Sequence, residues 1–150
     1  MKNIEGLENI YIFNSERKLI YVQEFKVQNT QIYHPEALSD FLSLVKSLAR
    51  SLGEDEISSV EIGNSVIFTL QDKVKGILFV IKSEKTANRK KIVELLKTIM
   101  NEFILIFDGN FIKPINEKEK LMQLFIIAIG KICGASTKVT YFLDEVRIIL

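Results

Sequence analysis

The sequence predicts an α/β protein: an α-β-α sandwich in which a five-stranded mixed sheet, in the order 2-1-5-4-3, has one helix on one face and two on the other. Three observations carry this. The stretch Ile57–Ile81 reads ISSVEI-GN-SVIFTLQ-DKVK-GILFVI, three β-rich runs separated by turn signals. Gly63-Asn64 is a two-residue hairpin signal in which glycine can supply a positive φ, and the polar break 71–76 ends on Gly76, as a longer hairpin loop should. Second, the three runs differ in how many faces they bury. Ile77-Leu78-Phe79-Val80-Ile81 is apolar without interruption, so both its faces should be covered. Ser65–Leu70 mostly alternates, and Ile57–Ile62 is the most polar, with Val60 and Ile62 in step. The third run is therefore central and the first is an edge. Third, apolar residues recur at helical spacing in three other segments, and a sheet with a doubly buried centre needs helices on both sides.

Taken in order, Asn9–Phe13 is a short run apolar on both faces and makes a second central strand. Residues 14–18 (NSERK) are a turn, and 19–27 continue as a strand that becomes polar late in its course and reads there as a sheet edge. Residues 28–34 are a loop. Pro35 sits in the tolerated first turn of a helix that runs to Leu52 and stops at Gly53. Its apolar residues fill an arc of about 160°, wider than the ~100° that packing on one sheet face requires. The excess lies on one flank: Ala37, Phe41, Leu44 and Leu48. That flank either tucks under a loop or meets a partner.

After the meander and a polar loop, a helix is expected from about 88 to 107, with Ile92, Leu96, Ile99, Met100, Phe103 and Phe107 as its stripe. Asp108-Gly109-Asn110 ends it. A third helix is expected from Asn116, with Glu119 completing a capping box, burying Leu121, Phe125, Ala128, Ile129 and Ile132 and closing at Gly134. In the tail, Val139, Phe142, Leu143, Val146, Ile149 and Leu150 fit helical spacing while 138–142 is β-rich; helix is the expectation and strand the alternative. The domain then spans 1–134, with a C-terminal tail over 135–150. In this arrangement the first and fifth strands are parallel neighbours.

This order of elements resembles the longin fold of the roadblock/longin superfamily. The resemblance covers roughly 9–133 and rests on the first hairpin, the helix at 35–52, the meander and the paired helices, without signature residues. A roadblock domain proper would begin with a helix, whereas this chain begins with a strand. Only a short tail follows Gly134, without the heptad segment and anchor of a longin-type SNARE, so the layout is that of a stand-alone longin, comparable to small subunits of adaptor coats or of the TRAPP and sedlin type. The resemblance implies a subunit in membrane trafficking or small-GTPase regulation, cytoplasmic or peripheral on membranes. It also implies a homo- or heterodimer through the edge strand, Ile57, Ser58, Ser59, Val60, Glu61 and Ile62, together with the Ala37, Phe41, Leu44, Leu48 flank. Such domains pair their sheets edge to edge with helices packed across the seam.

Composition and motifs agree with an interaction role. The chain has 150 residues, enough for one domain with a real core. Its net charge is +1 with both signs interspersed and no basic block, so nothing points to nucleic acid. The one cysteine, Cys133, can make no internal disulfide, which fits a reducing compartment. The N-terminal residues have no apolar signal core and no glycine at position 2, and no apolar run approaches the ~18 residues of a membrane span.

Catalytic chemistry has little to stand on. His34 is the sole histidine, so any Ser-His-Asp or Cys-His arrangement would have to use it. Cys133 reads as a small buried hydrophobe. One histidine, one cysteine and scattered carboxylates build no metal site, and the Lys-Ser and Lys-Thr pairs at 46, 82 and 97 lack the glycine of a phosphate loop. Asp108-Gly109-Asn110 lacks the later acidic ligands of a calcium loop, and the pairs Asp55/Glu56 and Asp144/Glu145 read as solvated. Arg17, Arg50, Arg89 and Arg147 are possible contacts for a GTPase, with nothing to rank them. Arg89-Lys90-Lys91 opposes the helix dipole; it reads as a solvated cluster, the alternative being contact with an acidic partner or anionic lipid. No catalytic activity, cofactor or metal is expected. The alternative function is a small-ligand sensory domain of PAS, GAF or profilin-like type, which needs a cavity with a few inward polar groups; the inward positions here are uniformly Ile, Leu, Val and Phe.

Overall fold

The computed structural model describes residues 4–25, 57–134 and 138–147. Within them the chain forms β1 (Leu7–Phe13), β2 (Leu19–Glu24), β3 (Ile57–Ile62), β4 (Ser65–Gln71), β5 (Leu78–Glu84), α1 (Arg89–Phe107), α2 (Ile115–Cys133), β6 (Lys138–Tyr141) and a 3-10 turn at Leu143–Glu145. The strands make one sheet in the order β3-β4-β5-β1-β2-β6. The run 2-1-5-4-3 is thus the expected one, with a sixth strand added beyond β2.

Two features of the sheet correct the sequence reading. It is antiparallel throughout, not mixed. β1 pairs antiparallel with β5, from Phe13 opposite Leu78 to Leu7 opposite Ser83. The reason is the long connection between β2 and β3. It returns the chain to the end of the sheet where β2 began, so β3 runs parallel to β2. Two hairpin reversals then leave β5 opposed to β1. The second correction concerns the tail. Residues 138–141 pair antiparallel with β2, Tyr21 opposite Tyr141 and Glu24 opposite Lys138, where a helix was expected. The β-rich run Lys138–Tyr141 prevails because β2 offers it a ladder, a tertiary term that outweighs helical spacing. β2 therefore ends as a covered strand at Glu24 instead of becoming an edge.

β1 and β5 are buried on both faces along their apolar runs, 10–13 and 78–81, and β1 also buries Glu8 and Asn9. On one face Ile10, Ile12, Tyr21, Phe68, Leu70, Phe79 and Ile81 join the inner stripes of both described helices. Phe103 stands at the middle of this layer. Its ring lies 5.7 Å from Phe79, 4.6 Å from Phe107, 6.4 Å from Phe111 and 5.2 Å from Phe125. On the other face Tyr11, Phe13, Val22, Ile67, Leu78 and Val80 form a second buried cluster. The helix expected at 35–52, with its flank Ala37, Phe41, Leu44 and Leu48, lies outside the described residues; so do His34, Arg50 and the Asp55/Glu56 pair.

The helices start and stop for local reasons. Asn88 caps α1, its side chain accepting from the Lys91 N–H at 3.2 Å. The buried positions Ile92, Leu95, Leu96, Ile99, Phe103 and Phe107 follow the predicted stripe. α2 begins a residue earlier than expected, at Ile115 after Pro114, and no side chain caps it. Glu119 therefore lies past the first turn and reaches sideways to β6 in place of closing a capping box. The buried face of α2 is Lys118, Met122, Phe125, Ile129 and Cys133. Leu121 and Ile132 are only partly buried and Ala128 is half-exposed, a small rotation of the stripe that seats Lys118 under the 3-10 turn.

Candidate partner interface

Among the described residues β3 pairs with β4 alone, and its other side faces none of them. The hairpin that positions it is tight. Gly63 takes φ 58°, as the first central residue of a two-residue turn requires, and Ile62 lies opposite Ser65. Alternation from that closing pair turns the peptide groups of Val60 and Ser58 toward β4 and those of Glu61, Ser59 and Ile57 toward the open side. The register runs without a bulge from Ile62 to Ile57. The strand carries no lysine, proline or bulge, and its one charge is Glu61.

The side chains divide by face. Ile57, Ser59 and Glu61 stand opposite Leu70, Phe68 and Val66, on the side of α1 and α2. Ile57 packs against that core. Ser58, Val60 and Ile62 stand on the second face, where Val60 packs against the Tyr11 cluster and Ile62 is 44% exposed. All six sequence-predicted strand residues are thus on one edge, none of them fully buried.

Glu61 was not singled out by charge, yet it is the electrostatic centre of this edge. Arg89 donates to its carboxylate at 2.8 Å and Lys85 lies 3.5 Å away. These groups are about half exposed, so the pairs are screened and each is worth at most ~1 kcal/mol. Their role is placement: they bring the first residue of α1 against the edge strand. Arg89 is thereby engaged rather than part of a wholly solvated cluster. Arg147 is likewise held, by Glu16 at 2.7 Å. Glu145, read as solvated, accepts from Asn14 Nδ2 at 3.0 Å. Only the spacing between Glu61 and Arg89 in the folded chain could reveal the first of these pairings, and no linear motif encodes it.

The other chemical candidates resolve into structure. Asp108 ends α1 and pairs with Lys75 at 3.1 Å, while Gly109 takes φ 74°. Among the described residues no group of three His, Cys, Asp or Glu could hold a metal ion, and no helix is long and apolar enough to cross a membrane. A recess of about 570 Å³ between the N-terminal turn and the start of α1 is lined by Ile4, Glu5, Ala87, Asn88, Lys91 and Ile132, among others, and is partly open to solvent.

Cys133 is buried, and burial pushes its thiol up to about 12. Burial also raises the nearby Tyr21 phenol, with the thiol adding to the effect. Both groups hold their protons more tightly folded than unfolded. The unfolded chain therefore binds fewer protons above pH ~9, and stability falls as pH rises from there toward about 12, by up to ~1.4 kcal/mol per pH unit for each group. Urea melts at pH 8 and pH 10.5 should show a lower midpoint at the higher pH, with a smaller drop in Cys133→Ala. Equal drops in the two proteins would contradict this assignment, as would rapid alkylation of the native thiol at pH 8.

No family model matches the chain, and no curated protein matches it. Among solved structures it is similar to a roadblock/LC7 domain from Streptomyces avermitilis, at 13% identity and TM-score 0.49, covering 66% of this chain and 87% of that one. It is similar to the gliding protein MglB from Thermus thermophilus, at 14% identity and TM-score 0.46, covering 61% and 70%. It is also similar to Myxococcus xanthus MglB, at 13% identity and TM-score 0.46, covering 65% and 83%. The described residues make a meander and a hairpin joined through β5 and β1, with paired helices on one face. The class this defines is a mixed α/β domain with one face under two helices and β3 at one end of the described sheet.

Proposed function

We propose that this chain is a non-catalytic interaction subunit that pairs, with a second copy or a related chain, through β3 and the helix at 35–52. In the paired state it scaffolds or regulates a small GTPase or a membrane-trafficking complex, in the cytoplasm or peripherally at membranes. The domain that does so is 1–134, with 138–147 held onto it. The observation that supports the reading is the β3 edge, six residues long, without a bulge, lysine or proline, and paired among the described residues only with β4. Main-chain hydrogen bonds from Ile57, Ser59 and Glu61 would set the register of the seam. Leucines on the Ala37, Phe41, Leu44, Leu48 flank would supply burial, each worth roughly 1.5–3 kcal/mol if fully covered. The GTPase or trafficking role comes from the longin-like layout. The sensory alternative is less well supported, because the recess beside α1 opens to solvent and the buried polar side chains, such as Gln23 and Asn14, are bonded within the fold.

The test uses the direction of the peptide groups. Ser59→Pro removes an N–H that faces the open side and leaves the β4 ladder whole, so it should give a folded monomer from a dimeric parent. Val60→Pro removes a ladder donor and should cost stability instead. Leu44→Glu with Leu48→Glu should also separate the subunits and stay folded. Sedimentation at micromolar concentration reports assembly, and circular dichroism reports folding. A wild type that remains monomeric at all concentrations and retains none of a panel of nucleotide-loaded small GTPases would sink the reading.

A further inference from the structure

The two ends of the sheet are built differently. β3 ends it with a six-residue, unbulged strand. The other end is β6, four residues long, opening on exposed Lys138 and running at once into the 3-10 turn. Shortness and lysine are both devices that blunt an edge. Beneath β6 lies β2, whose Ile20, Tyr21 and Val22 are buried and which carries no lysine or proline within Leu19–Glu24. Stripped of β6, β2 would be as competent for pairing as β3.

β6 buries little of its own: Lys138 is exposed and Val139, Thr140 and Tyr141 are half-buried. It is held by ties that lie mostly beyond its ladder. Tyr141 donates its hydroxyl to Glu119 at 2.6 Å and accepts from Gln123 at 2.9 Å. Lys118 donates to the Val146 carbonyl, and Val146 itself is fully buried. Asn14 donates to both the backbone and the carboxylate of Glu145, and Arg147 reaches Glu16. The segment is thus clasped to α2 on one side and to the β1–β2 turn on the other.

We propose that β6 and its clasp form an edge cap that closes the β2 side of the sheet to a second copy of this chain and leaves β3 as the sole pairing edge. The consequence follows from symmetry. A protomer with one competent edge forms an isologous pair and stops. A protomer with two can alternate one seam with the other and grow without end. The dimer limit rests on the β3 seam proposed above; the capping of β2 does not.

Phe142 donates its N–H to Ile20, and alternation directs the N–H groups of Thr140 and Lys138 toward β2 as well. Lys138→Pro with Thr140→Pro should therefore detach the cap. By sedimentation equilibrium, wild type should reach a plateau at two chains, while the variant's average mass should keep rising with concentration. Adding Ser59→Pro to the variant should bring it back to a plateau at two, now through β2. A wild type that stays monomeric would remove the β3 seam alone, and the uncapped variant should then still reach two. Tyr141→Ala, which loosens the cap without prolines, gives an independent reading by the same growth at higher concentration. Folded variants that assemble no further than wild type overturn the proposal. So does loss of the folded state in both variants, since β6 would then be a structural strand and not a cap.

Discussion

Phe103→Ala should be the most damaging single truncation in the described core, at about 4–5 kcal/mol, the upper part of the range for a buried phenylalanine. The reason is position. Phe103 is fully buried and touches four other rings, one from the sheet, two from the end of α1 and the loop after it, and one from α2. A cavity there is walled by elements that are already fixed by the sheet, so it cannot collapse without moving a helix. Phe79→Ala should cost roughly 3–5 kcal/mol for the same reason on the sheet side. Phe142, 47% exposed, is the control, and its truncation should fall within about 1 kcal/mol. Urea unfolding with an unchanged m-value is the measurement. A Phe103→Ala loss below about 1.5 kcal/mol would mean that the helix layer is not seated on the sheet as described.

Gly6→Ala should cost roughly 2–3 kcal/mol although it adds one methyl at a half-exposed site. Gly6 has φ 85°, where a Cβ is strained by ~1–2 kcal/mol. A Cβ there would also lie 2.7 Å from the Ala87 Cβ. The approach is fixed, because Gly6 accepts from the Glu84 N–H at 2.8 Å and so ties the start of β1 to the end of β5. Gly63→Ala separates the two contributions. Its φ is 58°, but nothing lies within 4 Å of the added atom, so only the backbone strain applies. Thermal or urea melts of the two variants should differ by about 1 kcal/mol or more, with Gly6→Ala the worse. Equal losses would show that the Ala87 contact yields freely.

Where the sequence was informative, it was so through local signals. The meander was legible because Gly63 and the polar loop ending at Gly76 stand at its breaks, and the central strands because Ile77–Ile81 and Asn9–Phe13 carry no polar interruption on either face. α1 was legible to within a residue because Asn88 caps it and its stripe is regular. What could not be read depends on partners distant in the chain. Val139 and Tyr141 alternate as a strand would, but Leu143 and Val146 continue a helical spacing, and only the presence of β2 decides between them. The antiparallel pairing of β1 with β5 required tracing strand directions through the long connection. In the edge itself, the alternation that puts Val60 and Ile62 on one face was legible, whereas the Glu61–Arg89 contact joins groups 28 positions apart.

The central ladder of the sheet joins strands distant in the chain. β1 meets β5, and β2 meets β6, whereas β1–β2 and β3–β4–β5 are hairpins of neighbours in sequence. Hairpins form in microseconds. Joining β1 to β5 instead closes a loop of about 65 residues, which costs a few kcal/mol of chain entropy before any contact repays it. The folding rate should therefore be set by the docking of two preformed units rather than by either one, placing this protein among the slower mixed domains of its size. Until that docking, β1 and β5, the two most apolar strands, each present an unpaired side to solvent. Aggregation during refolding would begin there, at the centre of the finished sheet, and not at β3, the end of the described sheet.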